Sequence, residues 1–354
     1  MATHQKGTII VTGANGYLGS AIVRHIVSSP ELQVYHSIFI VRDRSAANTR
    51  LTSALKAAVE KVSYEVVSLD LASLANVRRV ATAINGRISA GTIPQIRALV
   101  LNAAFIEFET QTWAEEHGFD MAFASNYLGH WLLTVMLLQS VDLGTGRVTI
   151  VGSDMHNPDD WLTGVLGPYK HPDDKWRPFI AGENIDPIAL GTWSTRAEDP
   201  STNNGLRRYG AAKFCLVTMI SELQRRLNSD PLLHRITTVG VDPGSMASST
   251  GIARRTDWFS RNIVHGIIMP IMGYVMMWLY PESNGKMRTT ARSARDVMNA
   301  TMDVSVDKAA YFDGTALVET AVEARDVRKW EMIWRDSVRY TQLEEGETML
   351  KNWK

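Results

Sequence analysis

The chain of 354 residues holds a single cysteine, Cys215, which excludes an intrachain disulfide and suits a reducing compartment. Thiolate zinc sites are excluded with it, and His130, His156 and His171 have no partners at ligand spacing, so no metal is expected. Cys215 itself reads as a small core residue. A GxSxG elbow is missing, which argues against hydrolase chemistry. Neither a Lys/Arg-rich run nor an acidic tail is present, and 37 basic residues balance 37 acidic ones. Nucleic acid and acidic lipid are therefore poor electrostatic partners. Repeats and low-complexity tracts are absent as well. The opening MATHQKGTIIVTG enters a strand-like run at once, leaving no room for a signal peptide, so a cytosolic protein is expected.

What is present is enough apolar sequence, 45% of the residues, to bury a large core. Strand-like runs at 8–12, 37–41, 64–69, 98–101, 147–152 and 236–241 alternate with amphipathic stretches such as 21–28, 50–61, 74–88 and 119–138. Strands apolar throughout, separated by helices, predict a parallel sheet covered on both faces. This is the α/β, doubly wound (Rossmann) pattern, with a dinucleotide at the carboxyl ends of the strands. Residues 1–354 read as one such domain. Residues 156–208 are polar and rich in Pro, Gly, Asp and Trp; their recurring aromatics predict an ordered surface insertion rather than a linker.

The run GTIIVTGANGYLGSAIV places Gly13, Gly16 and Gly19 between a strand and a helix. Glycine is needed where backbone turns sharply and approaches a pyrophosphate, and the helix N-terminus then offers N–H groups to the anion. Asn15, Tyr17 and Leu18 lie inside this turn and join the cofactor-binding candidates. The second strand ends in IFIVRDRS, where Arg42 suits a 2′-phosphate and hence NADP, while Asp43 keeps NAD as the alternative. Asp70, followed by Leu71, ends the third strand and is positioned to accept from an adenine amino group or to cap the next helix. Asn102 ends the fourth strand, and the small Ala103 and Ala104 let the chain pass beneath a nucleotide.

Tyr209 and Lys213 stand one helical turn apart in RRYGAAKFCL, so both side chains leave the same helix face. An ammonium there lowers the pKa of a phenol and makes it a usable acid or base. Ser153 ends the strand VTIVGSD, and Asn126 sits in the apolar SNYLGHW. Taken singly, each has a structural alternative: an N-cap for Ser153, a bridging bond for Asn126, a core tyrosine with a wet tip for Tyr209.

In order along nearly the whole chain, TGANGYLG, LDLAS, LNAA, ASNYLGHWLLT, RVTIVGS, YGAAK and VDPGSMAS resemble the short-chain dehydrogenase/reductase family. NYLGHWLLT and the long Ser-to-Tyr insertion are similar to its retinol dehydrogenase and protochlorophyllide reductase branch. The resemblance implies Tyr209 as general acid or base, Lys213 lowering its pKa and binding the nicotinamide ribose, Ser153 binding the carbonyl oxygen, and Asn126 holding a relay water. It also places Pro243, Gly244 and Ser245 beside the nicotinamide, with Ser248 at the position of a carboxamide-binding hydroxyl. Tyr17 departs from the family's usual glycine; it is expected to shift the diphosphate or fill space beside it.

The resemblance further implies a substrate flap over about 245–290. Within it residues 263–280, IVHGIIMPIMGYVMMWLY, carry no Asp, Glu, Lys or Arg. A flap or pocket wall for an apolar ligand, a buried subunit contact, and docking on or across a membrane all fit this composition. Pro270, Gly266 and Gly273 make a continuous span less persuasive. The expectation is an NADP-dependent oxidoreductase of a bulky apolar ketone, aldehyde or alcohol, in specialised metabolism, cytoplasmic and with peripheral membrane contact or a homo-oligomer open to it. Reduction of an activated C=C bond is the nearest alternative; a non-redox isomerase or an NADP-binding sensor or scaffold is the alternative of another class.

Overall fold

The computed structural model describes residues 5–44, 49–58, 62–246 and 287–354, together with positions 271 and 275. Ser248 and nearly all of the proposed flap lie outside them. Strands β1 (Thr8–Thr12), β2 (His36–Val41), β3 (Tyr64–Ser68), β4 (Ile96–Leu101), β5 (Arg147–Val151) and β6 (Thr237–Asp242) carry the six runs expected from the sequence. Two short strands, β7 (Ser245–Met246) and β8 (Met287–Arg288), pair separately. The main sheet gains β9 (Ala310–Asp313) and β10 (Ala316–Leu317), which the apolar pattern does not reveal. Its order is β3-β2-β1-β4-β5-β6-β9-β10, parallel throughout except for β10, and the strand order reverses between β1 and β4. That reversal opens a crevice at the carboxyl ends of the strands.

Alternate residues of each strand feed two cores. Ile10, Ile38, Ile40, Leu99 and Leu101 pack against α3 (Leu74–Ser89), α4 (Met121–Ser140) and α5 (Asn203–Ser229). Ile9, Val11, Phe39, Val41 and Val100 pack against α1 (Tyr17–Ser28), α2 (Thr49–Leu55) and α6 (Thr290–Met302). With both faces apolar, period-two alternation disappears from the sequence and the strands read as continuous runs. The exception is β3, an edge strand with a half-exposed pattern. A further helix, α7 (Val327–Thr341), covers α5, with Trp334 meeting Trp131 of α4 edge to face. Helix α4 has the length and composition of a membrane span, yet it is largely buried between α3, α5 and the sheet.

The segment 156–208 differs from the expected surface insertion. Tyr169, Trp176, Phe179, Ile185 and Ile188 are buried in the same core as α5, and Phe179 stacks on Phe214 with centroids 4.7 Å apart. Burying these rings beside α5 makes the segment a second wall behind the helix that carries Tyr209 and Lys213.

Candidate active site

The glycine turn is shaped by close approach. Gly13 adopts φ +66°, and a Cβ there would lie 2.7 Å from Ala103 Cα; a Cβ on Gly19 would run into the Gly13 carbonyl. Gly16 is the N-cap of α1 and has no side chain with which to cap it. The helix thus begins with its N-terminal dipole and first turn of N–H groups facing the crevice, a cradle suited to a diphosphate. Tyr17 does not fill that cradle. Its ring lies under Arg50, whose Cζ is 3.8 Å from the ring centre and whose Nη2 donates to the phenol oxygen at 2.6 Å. The ring is thereby drawn towards Arg50, which lies in the first turn of α2.

Asn102 follows β4 and donates through Nδ2 to the carbonyls of Thr12, at 2.8 Å, and Gly13, at 3.3 Å. Ala103 touches the glycine turn and Ala104 is exposed, as an open passage beneath a ligand requires. Arg42 and Asp43 are both exposed at the end of β2. Asp70 is exposed too, its Oδ1 accepting from the N–H of Ala72 at 3.0 Å. The cap of α3 is Ser73, so capping is not the role of Asp70. Leu71 is buried, and its carbonyl abuts Gly129 of α4. Pro243 accepts from Ser293 at 2.6 Å, Gly244 has φ +69°, and Ser245 opens β7.

Tyr209, Lys213 and Ser153 come together. Ser153 follows Gly152 at the end of β5, and its hydroxyl lies near enough to the Tyr209 phenol to pull that phenol's pKa down. It also caps the short turn Asp154–His156, accepting from the N–H of Met155 at 3.3 Å, so the structural and chemical readings of Ser153 coexist. Lys213 is buried and donates to the Val151 carbonyl at 2.9 Å; its Nζ lies 5.7 Å from the centre of the Tyr209 ring.

The charges differ from expectation. Burial pushes the Tyr209 phenol up to about 12 against the pull of Ser153, and the carboxyls of Asp242 and Asp154 push it further. Burial also pulls Lys213 down to about 8, with Asp242 opposing. Without a bound cofactor, then, desolvation and two carboxyls hold the Tyr209 phenol up. Tyr209 is only half-buried by surface area, so a ligand can reach its hydroxyl side.

Asn126 sits inside a π-turn of α4, Ala124–Leu128, a distortion often found at functional sites. Its Nδ2 donates to Phe105 and Ala122 carbonyls, both at 2.7 Å, and its Oδ1 accepts from Phe105 N–H at 2.8 Å. Both amide donors are therefore committed: one pins the loop after β4 onto α4, and the other bonds a carbonyl of α4 itself. A water held by this side chain would have only Oδ1 to bond.

Three supports were not legible in sequence. His130 reaches the central strand: Nδ1 meets the Asn126 carbonyl at 3.0 Å and Nε2 meets Thr12 Oγ1 at 2.9 Å. A carbonyl only accepts, so Nδ1 carries the proton and Nε2 accepts from Thr12. Thr12 Oγ1 in turn accepts from the N–H groups of Asn102 and Ala103. Burial lowers His130 to about 4, keeping it neutral. Next to Tyr209, Arg208 donates to Asp120 at 2.9 Å, and both side chains are buried. Finally, Gly210 allows the Tyr169 hydroxyl of the insertion to press against α5; a Cβ would collide with it.

The short chain dehydrogenase family profile matches residues 7–158. Similarity extends to the short-chain dehydrogenase iccH of Talaromyces variabilis, 41% identical over 99% of this chain and all of that protein. Protochlorophyllide reductase A of Arabidopsis thaliana is 29% identical over 96% of this chain and 78% of its own length. Among solved structures, angucycline C-6 ketoreductase LanV with bound NADP superposes with TM-score 0.54 at 16% identity, covering 88% of this chain and 96% of LanV. NADPH-bound carbonyl reductase from chicken fatty liver gives 0.53 at 14%, covering 88% and 98%. The structural likenesses establish the fold. With the sequence identity to iccH running end to end over both proteins, the chain belongs to the short-chain dehydrogenase family of oxidoreductases.

Proposed function

We propose that the chain is an NADP-dependent carbonyl reductase, moving hydride between the nicotinamide and the carbonyl carbon of a bulky apolar ketone or aldehyde. The observation that carries this reading is the convergence of Ser153 and Lys213 on Tyr209, beside a glycine cradle at the strand reversal. When bound, the cofactor supplies the hydride; the protein supplies proton, orientation and field. Gly13, Gly16 and Gly19 fit the diphosphate, and Arg42 fits a 2′-phosphate better than Asp43 fits a bare ribose, so NADP is favoured over NAD. NADP is also what the names of several proteins of this fold mention.

Tyr209 begins as the neutral phenol, which suits donation to the oxygen of a carbonyl as the carbon gains hydride. Ser153 bonds the same oxygen as charge builds there. Lys213 is placed to bond the nicotinamide ribose and to stabilise the phenolate left behind. The uncharged stretch 263–280 supplies the argument for an apolar substrate. A second reading, reduction of an activated C=C bond, draws on the similarity to protochlorophyllide reductases.

Turnover of a panel of polycyclic and aromatic ketones with NADPH deuterated at C4 separates the two. Deuterium on the carbinol carbon is expected; deuterium on a former alkene carbon would favour the second reading. Cofactor binding with no turnover across ketones and enones would overturn both in favour of a sensor.

A further inference from the structure

Ile22, Val23, Ile26 and Val27 of α1 turn into the core, which leaves Ser20, Arg24 and Ser28, spaced four apart, along the opposite side of the helix. Helix α1 packs between α2 and α6, so this polar stripe floors a groove walled by those two helices. Arg50 and Ser53 of α2 line it from one side and Arg295 of α6 from the other. Its volume is about 570 Å³, within the range of small-molecule sites.

The charge of the groove is one-sided. Among the described residues no Asp or Glu lines it, and Arg24, Arg50 and Arg295 form no ion pair. Guanidiniums elsewhere in the chain, buried or exposed, commonly meet a carboxyl: Arg208 meets Asp120, Arg226 meets Glu222 and Arg339 meets Asp186. In the groove, Arg24 Nη2 reaches the Ser53 hydroxyl at 3.4 Å, Arg50 donates to the Tyr17 phenol, and Arg295 meets no acceptor among the described residues. Asp296, next to Arg295 in sequence, is buried and lies outside the groove. The three arginines come from three separate helices, so a balanced composition without any basic run conceals the patch.

Like charges gathered along one groove repel, and a multiply charged anion laid between them removes that repulsion while accepting paired N–H groups from each fork. The lining hydroxyls add neutral donors for its remaining oxygens. Apolar lining is confined to alanines and the Tyr17 ring beneath Arg50, too little to anchor an acyl chain. We propose that the groove over α1 is a second anion site, separate from the glycine cradle, and that it takes a linear polyphosphate chain, free or as part of a small metabolite. The cradle uses the N-terminal end of α1 and faces the crevice. Arg24 and Ser28 lie roughly two and three turns further along, on the outer face, so both sites can be filled at once. The proposal depends on none of the catalytic assignments.

The probe is sodium tripolyphosphate, titrated calorimetrically into the whole protein at fixed ionic strength, with sulfate and orthophosphate as references. We expect one saturable site per chain, at least about tenfold tighter for tripolyphosphate than for either reference, and a raised melting temperature. Protein saturated with NADPH should bind the probe equally well. Arg24→Gln and Arg295→Gln should each weaken binding by about tenfold, as loss of a charge-assisted contact implies. Both side chains are exposed, so without the probe the variants should melt as the wild type does; if one fails to fold, the other carries the test. Arg42→Ala, at the end of β2, should leave tripolyphosphate affinity unaltered. Tripolyphosphate held no better than sulfate would overturn the site. Displacement by NADPH, or a loss in Arg42→Ala and not in the groove variants, would assign the anion to the cofactor cleft and overturn a second site. Tighter binding of an oligoglutamate peptide, or of vesicles carrying phosphatidylinositol bisphosphate, with the same dependence on Arg24 and Arg295, would overturn the small polyphosphate in favour of a protein or lipid surface.

Discussion

The two ends of the proposed cofactor cleft are held in opposite ways. At the Tyr209 end, nearly every polar group is fixed by another buried one: Arg208 by Asp120, Asn126 by Phe105 and Ala122, Thr12 by His130, Lys213 by Val151. At the end of β2, Arg42 and Asp43 are exposed, and Asp70 is exposed and shaped by local bonds to Ala72 and Asn76. On the proposed function, the contrast follows from what each end would have to do. Proton and hydride transfer tolerate little misplacement, so their groups are worth immobilising despite the desolvation involved. A phosphate is recognised by charge over a wider range of geometry, and exposed side chains suffice for it.

The sharpest way to break the comparison is at Tyr209. Tyr209→Phe removes the proton donor but leaves the glycine cradle intact. We expect kcat to fall by about 10³-fold while the Kd for NADPH, measured by cofactor fluorescence, changes by less than about twofold. Comparable losses in both quantities would mean that the two ends are not separable. Lys213 gives a pH counterpart. Its ammonium is present below about 8 and lost above it, so affinity for the oxidised or reduced cofactor should weaken as pH rises through that value. The same titration in Lys213→Met should be flat.

Arg208→Met tests the cost of the immobile end. It leaves the Asp120 carboxyl buried without its cation, and burial already pushes that carboxyl's pKa up against the effect of Arg208. Breaking such a pair costs about 3–5 kcal/mol. Denaturant unfolding should register that loss, and replacing Asp120 by Asn in the same chain should restore part of it. An exposed pair such as Arg328 with Asp326 should give almost nothing when broken.

How far the sequence revealed these regions depends on the range of the interactions. The glycine turn, the Ser153 strand end and the Tyr209–Lys213 spacing are local patterns, and each occupies the position its pattern implies. All six anticipated strands form, because burial on both faces leaves an unbroken apolar run. Strand β9 escaped notice because it is four residues long and two of them, Phe312 and Asp313, are only half-buried. The burial of the insertion's rings is not visible in sequence because they are spaced irregularly among charged residues, and only the fold brings Phe179 onto Phe214. His130 shows the limit most plainly. Its partner Thr12 is 118 residues away, and nothing near either residue marks the bond.

His130 also offers a graded test. Its folded pKa of about 4 lies below the ordinary 6.5, so between those values the unfolded chain binds a proton that the folded one does not. Stability therefore rises with pH across this window and is lost as pH falls from 6.5 towards 4, by roughly 3 kcal/mol in all. His130→Asn keeps a donor towards the Asn126 carbonyl but cannot titrate, so the slope attributable to this residue should vanish from its urea unfolding curves. An unchanged slope would show that His130 reaches water in the folded protein and is not held neutral.

The smallest expected effect lies at the exposed end. Arg42→Ala removes a solvent-facing cation without disturbing a buried partner, so thermal stability should be unaltered. Affinity for NADPH should fall by about tenfold, while affinity for NADH, which lacks the 2′-phosphate, should hardly move. Arg50→Ala provides the control, because Arg50 covers Tyr17 beside the glycine cradle and its loss removes that cover. If Arg50→Ala weakens both cofactors equally, Tyr17 guards the diphosphate; if it weakens NADPH alone, the cation extends the 2′-phosphate site along α2. Either result locates the boundary between the end held by buried bonds and the end held by charge.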